Sequence, residues 1–241
     1  MTMEMTPRGE YAIDRYAPPD VFADADPADL IVPRRSLVQG TSRNTDTKRS
    51  GEFYDALSKE YKAELRVAVL AQQKKRALFG DNFDDPPLCR SEDAAYPVAC
   101  VVVNISEKER TTGTTCAECW FSQWGSDPKG GDGQACKLSY DLLCYDLDEN
   151  TPFMLRVSGT SIRPWREFVT DGKRAGLRAS GMETVIGSRE VTTARGKYSV
   201  LVFERGAPLE EDYALEMQRT AGVYQGARAS DEVVQEEDPF A

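Results

Sequence analysis

Six cysteines and no histidine define the side-chain chemistry open to this chain of 241 residues. Cys89, Cys116, Cys119 and Cys136 stand at metal-ligand spacing. Two residues separate Cys116 from Cys119, so both sulfurs can turn onto one ion. Cys89 follows Pro86-Pro87-Leu88 and Cys136 follows a Gly- and Asp-rich loop, so each flanking cysteine has its own turn. Thiolates suit zinc, and four of them close a tetrahedral structural site with no open position for catalysis. The spacing predicts a structural Zn2+ held in a zinc ribbon. A single CxxC also serves redox motifs and disulfides. A redox pair opens a helix, however, and Trp120-Phe121-Ser122-Gln123-Trp124-Gly125 after Cys119 lacks helical patterning. Cys100 is an alternative to Cys89 as a ligand. Cys144, inside an apolar run, reads as a small core residue.

The absence of histidine removes imidazole acid–base catalysis, Ser-His and Cys-His nucleophiles and histidine metal ligands together. The sequence also has no phosphate-cradling glycine loop, dinucleotide fingerprint or paired-carboxylate motif. A non-enzymatic chain is expected. Acidic residues outnumber basic ones by 40 to 30, a net charge of −10. Residues 1–30 carry seven acids against two bases, and residues 230–241 carry five acids and no base. Each end thus contributes −5 and the body, 31–229, is neutral. An acidic total therefore leaves room for a basic surface on the body. No apolar run has the length of a membrane span or a signal peptide. A cytoplasmic chain without membrane attachment is expected, a setting in which thiols favour metal over disulfide.

The elements that must position these residues follow from periodicity. Residues 1–30, acidic and without pattern, read as a flexible arm. Residues 63–70 alternate and then become wholly apolar, which fits a half-buried strand, with 72–79 as its end or as a second strand. The cysteine-bearing insertion spans 80–137 and has one strand pattern, at 98–105. It cannot bury a core alone, so a metal staple is physically expected there. Strands follow at 137–147 and 153–159. Residues 160–169 read as a helix, with Ser161 as cap, Pro164 in the first turn, and Trp165, Phe168 and Val169 on one face. Strands at 182–194 and 198–203 flank a turn at Arg195-Gly196-Lys197, and a short helix spans 209–220. The order predicts a mainly β, α+β chain. Residues 31–225 form an OB-fold-like barrel with short helices, one of them between its third and fourth major strands, and a zinc-ribbon insertion at 80–137. Residues 226–241 form a disordered acidic tail. A plain antiparallel β domain with helices is the alternative.

The chain ends in Glu236-Glu237-Asp238-Pro239-Phe240-Ala241. This run resembles the C-terminal tip of bacterial single-stranded DNA-binding proteins. The resemblance implies Phe240 as an anchor in a partner's apolar pocket, Pro239 as its stiffener, and Glu236, Glu237 and Asp238 as the electrostatic part. Ala241 departs from that pattern, in which the chain ends on the aromatic. An OB-type body, a cysteine module between strands and an acidic C-terminal region are together similar to the helix-destabilising proteins of T-even phages. The metal site of those proteins includes a histidine, which this chain cannot supply. The resemblance implies a phage-type protein that coats and protects single-stranded DNA in replication and recombination and recruits partner proteins through its tail.

Such a protein needs cations for phosphates and exposed aromatics for stacking, the latter contributing roughly 1–3 kcal/mol per base. The candidates are Lys74, Lys75, Arg76 and Phe79, then Trp120 and Trp124 beside the CxxC pair with Phe121 between them, then Arg163 and Arg166 around Trp165. Each has a plainer reading. The basic cluster at 74–76 can be a solvated face, Trp120 and Trp124 can pack over the metal, Trp165 fits a core position, and Arg34 and Arg35 fit surface charges. The alternative function is a zinc-ribbon protein-interaction adaptor, such as a phage recombination directionality factor, with its Trp cluster facing protein.

Overall fold

The computed structural model describes residues 31–42, 45–81, 85–100, 115–128, 130–194, 196–224 and 228–229. The expected N-terminal arm, residues 101–114 of the insertion and residues 230–241, with all five proposed partner-docking residues, lie outside the described residues. Four short strands come first: β1 (Ile31–Val32), β2 (Arg34–Leu37), β3 (Phe53–Asp55) and β4 (Tyr61–Lys62). The long β5 (Leu65–Leu78) follows, then β6 (Cys89–Ser91) and β7 (Ala99–Cys100) in the cysteine-bearing segment. The remainder is β8 (Lys137–Asp146), β9 (Thr151–Ser158), α1 (Ile162–Arg174), β10 (Met182–Thr193), β11 (Gly196–Pro208), α2 (Glu211–Val223) and β12 (Arg228–Ala229). The chain is mainly β, in keeping with the expected class.

Ten strands form one sheet in the order β11-β10-β5-β8-β9-β2-β3-β4, with β6 added to β5 and β7 to β6. The pairings within it are antiparallel except that of β2 with β9. Period-two burial explains the central register. Tyr140, Leu142 and Cys144 of β8 face Val157, Leu155 and Phe153 of β9, and all six are buried. Leu65, Val67 and Val69 of β5 and Ile186 and Leu201 of β10 and β11 complete that face. A one-residue register shift between Val69 and Ala71 bends β5, and such a bulge increases local twist. The first residues of β5, Leu65, Arg66 and Val67, pair with β10 and its last residues pair with β6. The sheet curls into a half-barrel.

The open side of the curl is bridged by side chains. The Gln39 amide, just past β2, donates to the Ser199 carbonyl at 2.9 Å and accepts from the Ser199 N–H at 2.8 Å. It occupies the edge of β11 as a peptide group would. Ser188 donates to the Gly51 carbonyl at 2.6 Å. Gly51 has φ +95°, and a Cβ there would meet Ser188 Oγ at 3.1 Å, so both backbone and space favour glycine. Helix α1 closes one end of the curl with Trp165 and Phe168, whose ring centroids lie 5.7 Å apart and 5.1 and 5.9 Å from Phe203. Trp165 Nε1 donates to Gln72 Oε1 at 3.1 Å, satisfying the one polar group of a buried ring.

Of the two readings of 72–79, the strand end holds: β5 is continuous over Leu65–Leu78, because the polar run from Gln72 to Arg76 remains paired with β8 along its length. Several expectations are corrected. Ser161 makes no capping hydrogen bond. It is buried under β11, where its hydroxyl accepts from the Leu201 N–H at 3.0 Å. The insertion has a strand at Cys89–Ser91 in addition to Ala99–Cys100. Arg228 and Ala229, placed in the tail by sequence, pair in parallel with Ile31 and Val32.

Arg34 and Arg35 are not surface charges: they are 3% and 4% exposed. Arg35 binds Asp55 at 3.0 Å, Asp146 and Glu149, and its guanidinium lies 4.3 Å from the Phe153 ring centre. Lys62 joins the same group, at 2.8 Å from Asp146 and 2.6 Å from Glu149. Arg34 contacts Asp141 at 3.3 Å, alongside Arg156 at 2.9 Å and Lys75 at 3.5 Å.

Burial alone would raise both carboxyls, but their cations outweigh it. Asp146 is held at about 2, chiefly by hydrogen bonds from Lys62 and Arg35. Asp141 is held well below the usual carboxylate range by Arg156, Arg34 and Lys75. A depressed native carboxyl contributes stability above its unfolded value, near 3.9, and loses it as pH falls through the native value. Urea midpoints should therefore drop between about pH 4 and about pH 2, with a shallower drop in Asp146→Asn. Arg35→Met leaves Asp146 and Asp55 short of a buried partner and should cost about 3–5 kcal/mol in equilibrium unfolding.

Candidate functional site

The cysteine-bearing segment is held by polar side chains in place of a core. Ser122, buried in the 3-10 turn after Cys119, donates to the carbonyls of Cys116 and Cys119. Gln123 donates to the Ala117 carbonyl at 2.7 Å, and Gln134 reaches the Ser122 carbonyl. Ser126 bridges the carbonyl of Phe121 at 3.0 Å and the N–H of Ala135 at 3.0 Å. Backbone bonds complete the loop, from Cys136 N–H to Phe121 at 2.8 Å and from Gly125 N–H to Gly133 at 2.9 Å. Trp124 stands at the tip of this network and is 76% exposed.

Cys116 and Cys136 are buried and Cys119 is half-buried. Burial pushes the Cys136 thiol up to about 11; nearby Arg76 acts to lower it, and Cys119 and Cys116 act to raise it. Three of the four predicted ligands thus lie within electrostatic reach of one another. Cys116 N–H also bonds the Ala95 carbonyl at 2.8 Å, tying the CxxC turn to the β6–β7 hairpin. Cys89 is the cross-strand partner of Cys100, so the two candidates for the fourth position are neighbours. Cys89 also pairs with Leu78, and Lys137 pairs with Ala77. Continued by one residue, that register sets buried Leu78 between Cys89 and Cys136. The donor types suit a thiophilic ion, but among the described residues no three acid, thiol or imidazole groups form a metal-ready cluster.

Beside Trp124 runs a groove of about 1350 Å³ between the cysteine-bearing segment, the paired ends of β5 and β8, and helix α1. Its lining includes five cations, Arg76, Lys137, Arg163, Arg166 and Arg174, against two carboxylates, Glu167 and Asp171. Glu167 is engaged by Arg163 at 2.8 Å. Leu138 and Ile162 supply apolar floor. Arg76 joins groove and cysteines, since its guanidinium donates to the Cys136 carbonyl at 3.2 Å. Arg166 donates to the Tyr140 hydroxyl at 3.1 Å, and the Lys74 ammonium lies 5.9 Å from the same ring.

The structure therefore brings Arg76, Trp124, Arg163 and Arg166 into one groove, with Lys74 close by through Tyr140. Lys75 faces the other way, onto Glu92 at 2.9 Å and onto Asp141. Phe79 and Trp120 do not line the groove, although Trp120 is 43% exposed. Lys137 and Arg174 were missed. Arg163, Arg166, Thr170 and Arg174 share a face at helical spacing, but ending the helix at Val169 hid the last turn. Comparison with protein families, curated proteins and solved structures returns no match.

The burial of the thiols can be checked directly. In metal-free protein at about pH 8, Cys136 and Cys144 should be the slowest described cysteines to alkylate with a maleimide, because the thiolate is the reactive form. Burial also pushes the Cys144 thiol far up. Mass spectrometry of labelled peptides reads the order, and half-buried Cys119 should precede both.

Proposed function

We propose that this chain is a non-enzymatic, phage-type single-stranded DNA-binding protein with an OB-type barrel, a structural Zn2+ and a partner-docking acidic tail. The observation that carries the reading is the groove, where surplus cations, an exposed tryptophan and an apolar floor lie together. Cations track the sugar-phosphate chain, and an exposed indole stacks on unpaired bases without regard to sequence. Strand order supports the barrel. With β5, β8, β9, β10 and β11 as its five strands, α1 lies between the third and fourth and the cysteine-bearing segment between the first and second. OB-folds bind oligonucleotides on strands two and three and on the loops joining one to two and four to five. Trp124 belongs to the first of those loops.

Zn2+ would be held by Cys116, Cys119 and Cys136 with Cys89 or its neighbour Cys100. It would serve as a closed scaffold that fixes the Trp124 loop. Glu236, Glu237, Asp238, Pro239 and Phe240 would recruit replication or recombination proteins.

Fluorescence polarisation of labelled oligo-dT across a salt series tests the binding. Single strands should bind in preference to duplex, and affinity should fall steeply with salt. Trp124→Ala should weaken binding by about fivefold or more, given roughly 1–3 kcal/mol per stacked base. Equal affinity for duplex, or no affinity, would falsify the reading and favour the adaptor. Elemental analysis should find about one zinc per chain, lost with unfolding of the segment in Cys119→Ser. Metal-free protein that keeps its near-ultraviolet signal would end the zinc scaffold.

A further inference from the structure

A second cavity, of about 430 Å³, lies beside the α1 groove, and the two share Ser158, Gly159 and Thr160 as common lining. We propose that the two cavities form one continuous track, so that a single-stranded polynucleotide leaving the α1 groove crosses the β9–α1 junction and continues onto Arg156, Lys197 and Tyr198. This rests on the single-strand reading above and adds a second binding segment to it.

The crossing point is low. Gly159 has φ +56°, and nothing lies within 4 Å of where a Cβ would stand. A polynucleotide backbone can therefore pass close to the main chain there, as over other glycine junctions. The serine and threonine beside it offer hydroxyl and amide partners to phosphate oxygens.

The far cavity has the charge such a strand needs. Among the described residues its lining has two cations and no carboxylate. Arg156 binds Asp141 at 2.9 and 3.2 Å, yet its side chain stays 42% exposed. Asp141 also meets Arg34 and Lys75, and Lys75 meets Glu92 as well, so Arg156 is the exposed rim of a larger ionic network. Lys197 stands near the start of β11, 65% exposed, with a Glu190 partner that is 57% exposed. Exposed pairs of that kind contribute little, so a phosphate can compete for the ammonium. Half-buried Tyr198 supplies a ring for one further base. Arg156 commits two of its donors to Asp141 in place of a base edge, so the ligand class is single-stranded nucleic acid of any sequence.

The test is a length series. Labelled dT oligomers of roughly 6 to roughly 24 nucleotides, bracketing the ~4–16-nucleotide sites of single barrels, are titrated into the full chain and its variants. Affinity should rise with length beyond what the α1 groove alone holds. Tyr198→Ala and Lys197→Glu should each flatten that rise, lowering affinity for the longest oligomer about fivefold, whereas Trp124→Ala weakens short and long oligomers alike. A rise with length that matches the unmodified chain in both variants overturns the track and leaves binding in the α1 groove intact. Failure of the unmodified chain to bind at any length overturns the single-strand reading, and the track with it.

Discussion

Two carboxylates on one strand govern the arrangement of the sheet. Asp141 and Asp146 of β8 are each 1% exposed, and a charge so buried persists only with partners. Odd and even positions of a strand face opposite sides, so the two acids draw on different neighbours. Asp141 gathers Arg34, Lys75 and Arg156 from β2, β5 and β9, while Asp146 gathers Arg35 and Lys62 from β2 and β4. The β2–β3–β4 unit pairs by backbone with β9 alone, through two residues. Its short ladder would hold it loosely, and the ionic groups fix its register against β8. With β2 fixed, Gln39 reaches Ser199 and bridges the curl.

The groove depends on the same strand at its other end. β8 begins immediately after Cys136, so the cysteine-bearing segment is anchored where Lys137 and Leu138 pair with Ala77 and Arg76. Serines and glutamines hold that segment together, and each polar side chain bonds main-chain groups that an apolar core could not satisfy. Such a network is directional and tolerates an exposed indole at its tip. A hydrophobic loop would bury Trp124 instead. The result in this chain is an exposed aromatic ring on a polar scaffold, beside a groove lined by arginines.

The long strands and the first turns of α1 were readable from the sequence because burial there follows periods of two and 3.6, as Phe153, Leu155 and Val157 illustrate, whereas β3, β4, β6 and β12, of two or three residues each, are too short to show a period. Arg76, Trp124, Arg163 and Arg166 were readable as chemistry, since residue type alone suggests phosphate and base contacts. Their convergence was not, because it depends on a fold-back of some ninety positions that no local pattern encodes. The ionic groups were hidden for a related reason. Arg34 and Arg35 look like solvated charges until partners 107 and 111 residues away are known. Ser161 shows the limit of local rules: its position suits a cap, but an unsatisfied N–H on β11 claims the hydroxyl first.

Net charge misleads for this chain because charge acts locally. The Debye length at physiological salt is about 8 Å, so a cation in the groove responds to its near neighbours and hardly to the sum over the chain. The pairing of β1 with β12 brings the attachment points of both acidic ends, each −5, to one place. From that place β2 runs forward to Ser36 and Leu37, which line the second cavity. The cations where β2 ends and α1 starts answer instead to neighbours of their own, Arg156 to Asp141, Lys197 to Glu190 and Arg163 to Glu167, so the net charge of the chain says little about either cavity.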